Sequence, residues 1–169
     1  AALEAASLGM HPILFDTDDV KDAVRAGALA DELGLDIWVL GNGTEYQDLV
    51  GIAALDVPVI VPVKYPSRPT LDTIDAAQRI PLRTLQAWEQ APTNLRRLRD
   101  AGVSTCVTSN GLSKPADVRG ALRDAVKAGL TEDEALAALT TAPAPLLQID
   151  DQCGTIEPGK IAHLVLCEG

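Results

Sequence analysis

The sequence predicts an α/β fold in which about four parallel strands alternate with helices. Short apolar runs of strand length recur along the chain, and amphipathic helical segments separate them. The strands are apolar almost without interruption, as in sheets whose two faces are both covered. Four such units form part of a (β/α)8 TIM barrel, which needs about 250 residues when complete. A small open doubly wound sheet is the alternative.

The predicted elements follow from local signals. The strands share an apolar run bounded by turn residues: 11–15, 37–40, 57–63 and 105–108, with a last one at 162–166. The helices share apolar residues on one face and a polar start or a glycine stop: 1–8, 18–33, a short one through 49–52, 85–91, 94–101, 116–128 and 131–140. Residues 64–81 are predicted to be a long loop.

Composition and charge exclude several classes of function. Hydrophobic residues make up 47% of the 169 residues, and the net charge is −10. Such an acidic chain lacks the basic surface that binds nucleic acid or an anionic membrane. No apolar run reaches the roughly 18 residues that cross a bilayer. The three cysteines form no CxxC pair, and Cys106 in a strand-like run is expected to be buried and inert. The localisation stays open, with the cytoplasm favoured.

The most specific pattern lies near the carboxyl end. Residues 136–144 place a helix before a Thr-Thr-Ala-Pro-Ala turn, and residues 154–165 read Gly-Thr-Ile-Glu-Pro-Gly-Lys-Ile-Ala-His-Leu-Val. Both segments resemble the carboxy-terminal part of the amidohydrolase superfamily, except that His163 stands where the family usually has Asp or Asn. The resemblance implies half of a TIM barrel in residues 1–148 and strands of a small β-sandwich in residues 149–169.

The remaining sequence is similar to the imidazolonepropionase-like branch of these metal-dependent hydrolases. That resemblance implies a divalent metal such as zinc, held by an H-x-H pair, histidines after the fifth and sixth strands and an aspartate after the eighth, which activates water for attack on a C–N bond. The corresponding positions here are Phe15 or Asp16, Gly41 and Asn110. The H-x-H strand would precede Ala1. We therefore expect no complete metal site, and no cofactor, in this chain.

Polar residues after the predicted strands are the candidate ligand contacts. Asp16, Asn42, Lys64 and Ser109 each follow a strand, and Asn110 takes the position of the family aspartate. In barrels of this kind the βα loops build the active site. The alternatives are helix capping for the Asp16 cluster, turn chemistry for Asn42 and plain solvation for Lys64. His11, at the start of a strand, and His163 are expected to be structural.

The sequence leaves three hypotheses. The first is a fragment or divergent member of the amidohydrolase superfamily whose parent class hydrolyses C–N bonds of cyclic amides. The second is a non-catalytic structural or binding module of a larger assembly. The third is a working hydrolase that uses Asp16, Asn110 and residues outside this chain. A small-molecule ligand remains possible.

Four parallel strands cannot close a barrel, so the sheet is expected to expose two edges and one apolar face. Which residues line that face depends on the register: Ile13, Phe15, Val39, Val59 and Val61, or their neighbours. The expected partner is the missing amino-terminal half of the parent or a second copy.

Overall fold

The computed structural model describes residues 11–166, without the side chains of residues 76 and 77. The helix predicted at residues 1–8 and Cys167 lie outside that range. The described elements, in chain order, are β1 (Ile13–Asp16), α1 (Val20–Leu33), β2 (Ile37–Leu40), α2 (Leu49–Ala53), β3 (Val59–Pro62), α3 (Ile74–Arg79), α4 (Leu82–Gln90), α5 (Asn94–Asp100), β4 (Thr105–Thr108), α6 (Val118–Lys127), α7 (Glu132–Leu139) and α8 (Pro143–Leu146).

The four strands form one parallel sheet in the order β1-β2-β3-β4. Each strand pairs with the next along the chain, with Ile13 opposite Ile37, Val39 opposite Val59 and Val59 opposite Thr105. Parallel neighbours in sequence order, joined by helices, are the arrangement found along the wall of a (β/α)8 barrel. The prediction of an α/β partial barrel is therefore confirmed.

Helix α1 shows how local signals set the element boundaries. The Asp19 carboxylate caps it by accepting hydrogen bonds from the backbone N–H groups of Lys21 (2.8 Å) and Asp22 (2.9 Å). Gly34 ends it in the left-handed conformation at φ 63°. At α7, Thr131 and Glu134 form the predicted capping box. None of the helices in residues 11–166 is long and apolar enough to span a membrane.

The two faces of the sheet differ in what covers them. Ile37, Val39, Val59 and Val61 are buried in one core with small residues of α1 and with Leu95 and Leu98 of α5. The alternate residues point to the other face and are less covered: Leu14, Trp38, Leu40 and Ile60. The register therefore places the neighbouring residues on the less covered face. The other predicted set faces the helices instead: Ile13, Phe15, Val39, Val59 and Val61.

Two segments differ from the prediction. The expected loop at 64–81 contains the helix Ile74–Arg79, which an Asp75–Arg79 ion pair of 2.9 Å spans. Within the described residues, the backbone over 161–166 forms no strand, although its apolar side chains such as Val165 and Leu166 are exposed. The Ile161 N–H donates to the carbonyl oxygen of Gln152 (2.9 Å), but a strand requires a repeated ladder of such bonds, which the described residues do not form here. The β-sandwich domain at 149–169 stays a prediction.

Candidate functional site

The candidate residues gather beyond the carboxyl ends of the four strands. Asp16 ends β1, and Asn42, Lys64 and Asn110 each follow the end of β2, β3 or β4 by two residues. Side chains alternate along a strand, so these four positions continue the face that the helices leave uncovered. In a (β/α)8 barrel that face turns inward, toward the mouth of the active site.

Gly41 points the other way, toward the helices. A Cβ added at Gly41 would lie 2.2 Å from the Oε1 of Glu45, whose side chain is 2% exposed. Position 41 therefore could not present a ligand to the inner face. The Cβ direction at Gly41 does not suit the family histidine, whereas Asn42 has the side-chain direction that does, and the assignment of the family position stays a prediction.

The Glu45 carboxylate organises the loop after β2. Its Oε1 accepts hydrogen bonds from the backbone N–H groups of Asn42 (2.6 Å) and Gly43 (3.0 Å). Its Oε2 accepts one from the Nδ2 of Asn94, at the start of α5. Asn94 also accepts a bond from the backbone N–H of Tyr46 (2.8 Å). Sequence reasoning missed this pair, because a glutamate in a polar turn reads as exposed.

The Asn42 side chain is used within the same loop. Its Oδ1 accepts hydrogen bonds from the backbone N–H (2.9 Å) and hydroxyl (2.7 Å) of Thr44. Its Nδ2 donates to the carbonyl oxygen of Asp18. The amide thus joins the loops that follow β1 and β2. Both ends of the amide are thus engaged within these loops, and the role of Asn42 as a ligand contact stays a prediction.

Lys64 lies across the loop that follows β4. A Cβ added at Gly111 would lie 2.8 Å from the Cδ of Lys64 and 3.7 Å from its Nζ. Gly111 has φ 78°, so glycine serves both the backbone conformation and the close approach. The exposed Lys64 side chain therefore lies close to Gly111, the residue after Asn110. In the described part of the chain, no carboxylate forms an ion pair with Lys64.

Asp16 is exposed at the same edge of the sheet. The capping role falls to Asp19. Next to Asp16, the Thr17 hydroxyl donates to the carbonyl oxygen of Leu40 (2.9 Å), which fixes the backbone of the two loops. The Asp16 carboxylate and the Lys64 ammonium therefore give the mouth one charge of each sign.

Ser109 is separated from the other candidates. It lines a cavity of about 370 Å³ together with Thr108, Val107, Val118 and Arg119. Ser109 and Arg119 thus both line the space between the end of β4 and the start of α6. The predicted group of site residues divides between the inner mouth and this side cavity.

Two ionisable groups near the sheet are held neutral by burial. Burial raises the pKa of the Cys106 thiol to about 11. Burial raises the pKa of the Tyr65 phenol to about 12, with a further contribution from the negative charge of Asp124. Cys106 is buried in β4, so the prediction of an inert thiol agrees with its surroundings.

The side chains at the mouth do not fit the divalent metal that the resemblance implies. A zinc site uses three or four thiolate, imidazole or carboxylate ligands. Within residues 11–166, no group of three such side chains is close enough to hold an ion. Phe15 faces the helices, Asn110 offers a neutral amide, and His11 and His163 are both exposed at other places in the fold.

Comparisons with known proteins agree with this architecture. The model of the amidohydrolase family matches residues 84–169, just over half of the chain. No curated protein sequence matched. Among solved structures, an amidohydrolase from Thermotoga maritima MSB8 is 24% identical with a TM-score of 0.72, covering 94% of this chain and 38% of that one. A second, an uncharacterized protein, is 18% identical with a TM-score of 0.59, covering 94% of this chain and 39% of that one.

The two structures extend well beyond the region of similarity, since this chain spans less than two fifths of either. At these identities they show a shared fold, and the sheet of four parallel strands lies within it. The family model adds the link in sequence, over the half that includes β4 and the Pro-Ala turn. This chain belongs to the amidohydrolase family.

Proposed function

We propose that this chain supplies the ligand-binding mouth of an amidohydrolase-type barrel and binds a small cyclic amide that carries an anionic group. The observation that carries the proposal is Lys64, whose stem lies over Gly111 and whose ammonium has no ion-pair partner in residues 11–166. An exposed cation near an amide at the mouth of a barrel suits a carboxylate ligand.

The polar groups near Lys64 fit the amide part of the proposed ligand. Asn110 offers both an N–H donor and a carbonyl acceptor, which are the groups that pair with a cyclic amide. Its backbone N–H is 3.2 Å from the Thr108 hydroxyl oxygen, which limits the movement of the loop. Asp16 adds an acceptor at the carboxyl end of β1, on the same face of the sheet. Together these groups provide recognition rather than an activated nucleophile.

Hydrolysis of a C–N bond in this family uses a metal-activated water, and no group of three ligating side chains lies together within residues 11–166 to hold the metal. We therefore assign binding to the chain and leave hydrolysis to a whole protein that includes further strands. The second candidate is a non-catalytic binding module. The amides of Asn42 and Asn110 favour it, because neither can replace a histidine or a carboxylate as a strong metal ligand.

Titration with two ring compounds tests the binding proposal. A five-membered cyclic amide with a carboxylate substituent is compared with the same ring without the carboxylate, by calorimetry and by backbone amide shifts. We expect saturable binding of the first, with shifts around Lys64 and Asn110. Lys64→Met should weaken it about tenfold, the worth of one charge-assisted hydrogen bond, whereas Lys64→Arg should retain most of it.

The matched control is Arg83→Met, which removes an exposed cation that lies on helix α4 rather than directly after a strand. Equal weakening by Lys64→Met and Arg83→Met would show a general charge effect and refute the assignment. Shifts confined to the amino ends of the strands would refute it as well. Hydrolysis assays on the chain and on a longer parent with added zinc then separate the two candidate functions.

A further inference from the structure

The chain contains three asparagines, and two of them precede a glycine: Asn42-Gly43 and Asn110-Gly111. An asparagine loses its side-chain nitrogen when the backbone nitrogen of the next residue attacks its side-chain carbonyl carbon. Glycine permits this attack best, because it has no Cβ to obstruct it and leaves the backbone free to turn. Both pairs lie in loops that follow a strand, and their surroundings decide which of them can react.

The Asn110-Gly111 pair is exposed to solvent at both residues. The Asn110 side-chain amide forms no hydrogen bond with any of residues 11–166. The backbone N–H of Gly111, which is the attacking group, has no acceptor in that range either. The turn around the pair is closed by one hydrogen bond, from the Leu112 N–H to the carbonyl oxygen of Ser109 (3.0 Å). The two reacting groups can therefore approach each other without giving up a hydrogen bond of their own.

The Asn42-Gly43 pair is held at each of the reacting groups. The Asn42 Oδ1 accepts hydrogen bonds from the N–H (2.9 Å) and the hydroxyl (2.7 Å) of Thr44, and its Nδ2 donates to the carbonyl oxygen of Asp18. The backbone N–H of Gly43 donates to the buried Glu45 carboxylate (3.0 Å). Attack by this nitrogen would break these bonds and leave buried groups unpaired. The fold therefore protects Asn42, although its dipeptide is the same.

We propose that Asn110 is a site of spontaneous modification, at which the side-chain amide becomes a carboxylate while Asn42 stays intact. The nitrogen of Gly111 forms a bond to the Cγ of Asn110, and the side-chain nitrogen leaves as ammonia with the proton that Gly111 gives up. Water then opens the resulting five-membered ring at one of its two carbonyl carbons, which yields aspartate or isoaspartate. One water is consumed and one ammonia is released for each residue converted, and nothing is oxidised or reduced.

The conversion changes the charge of the mouth. The Lys64 side chain lies close to this loop, since a Cβ added at Gly111 would be 3.7 Å from the Lys64 Nζ. A carboxylate at position 110 adds a negative charge beside that cation, so an anionic ligand meets a less positive surface. This consequence rests on the proposed function, whereas the modification does not: either can fail while the other holds.

Mass spectrometry of tryptic peptides tests the proposal, because trypsin cuts after Arg25, Lys64 and Arg99 and so separates the two pairs. The folded chain is incubated at mildly alkaline pH and sampled over time. The peptide with Asn110 should gain about 1 Da, the change from an amide to a carboxylic acid. Its conversion should be at least about tenfold faster than that of Asn42, because Asn42 must first give up several hydrogen bonds.

The matched control is the same incubation in concentrated urea. Unfolding removes the protection, so the rates at Asn42 and Asn110 should then agree within about threefold, since both residues precede glycine. Asn110→Gln, at an exposed position, should remove most of the ammonia that the folded chain releases, because the longer side chain must close a larger ring. Equal rates at the two asparagines in the folded chain would overturn the proposal. A rate difference that persists in urea, or ammonia release that Asn110→Gln leaves unchanged, would overturn it as well.

Discussion

The carboxylate of Glu45 and the side-chain amide of Asn94 form a buried hydrogen bond between residues 49 positions apart. Both side chains are 2% exposed. The bond connects the loop after β2 with the first turn of α5. Because the same carboxylate holds the backbone of Asn42 and Gly43, the pair sets the shape of one wall of the candidate site.

Glu45→Ala should destabilise the protein strongly. The change leaves the N–H groups of Asn42 and Gly43 and the Asn94 amide without an acceptor in a buried place. Unsatisfied buried donors cost about 1–3 kcal/mol each, so a loss of about 3 kcal/mol or more is expected. Urea denaturation followed by circular dichroism measures it. Glu89→Ala, at an exposed position of α4, is the control and should change little.

Gly41→Ala and Gly120→Ala should have effects of opposite sign. At Gly41 the new Cβ would be 2.2 Å from the Glu45 Oε1, so the buried carboxylate would have to move. At Gly120, inside α6, no atom lies within 4 Å of the new Cβ. Alanine there should stabilise the helix by about 0.5–1 kcal/mol. Equal melting temperatures for the two variants would contradict the close approach of Glu45 to Gly41.

Alkaline pH should destabilise the protein through Cys106. Its folded pKa is about 11, above the ordinary value of 9.0, because burial disfavours the thiolate. The stability from keeping this thiol neutral is fully present below pH 9 and is lost as the pH rises toward 11. Cys106→Ala should flatten the decline of the unfolding free energy between these values, although the smaller side chain lowers stability at neutral pH. Cys153→Ala is the control, and an identical slope in both variants would contradict this origin.

Much of the fold could be predicted from the sequence because its signals are local. The Asp19 cap, the Gly34 stop and the Thr131–Glu134 capping box each act within one turn of helix. The apolar runs at β2 and β4 do not also match the pattern of another kind of secondary structure. The helix Ile74–Arg79 was missed because prolines on both sides of it mask a short amphipathic pattern. The strand at 162–166 stays a prediction, since β pairing depends on a partner that local sequence does not specify.

The candidate site was harder to predict, because register and buried polar pairs are tertiary features. Spacing alone did not distinguish Gly41 from Asn42; the Cβ direction at 41, toward Glu45, does. The separation of Ser109 from Lys64 likewise depends on how the loop after β4 turns at Gly111. Gly41 and Asn94 are the two residues in the sequence that accompany the buried Glu45. Neither residue by itself indicates that it contacts a glutamate.

The purified chain should hold no stoichiometric zinc or iron. The mouth offers the exposed carboxylate of Asp16 and amides that serve as hydrogen-bonding groups; amides are weak ligands for these ions. Elemental analysis after dialysis against a weak chelator measures the content, and well under about 0.1 equivalents per chain is expected, because zinc needs three or four strong ligands. Asp16→Ala is the control for loose binding. If this variant retains the same residual metal content as the unchanged chain, that metal is not bound at the mouth. About one tightly bound equivalent of zinc, lost in the Asp16→Ala variant, would show that the mouth is a metal centre after all.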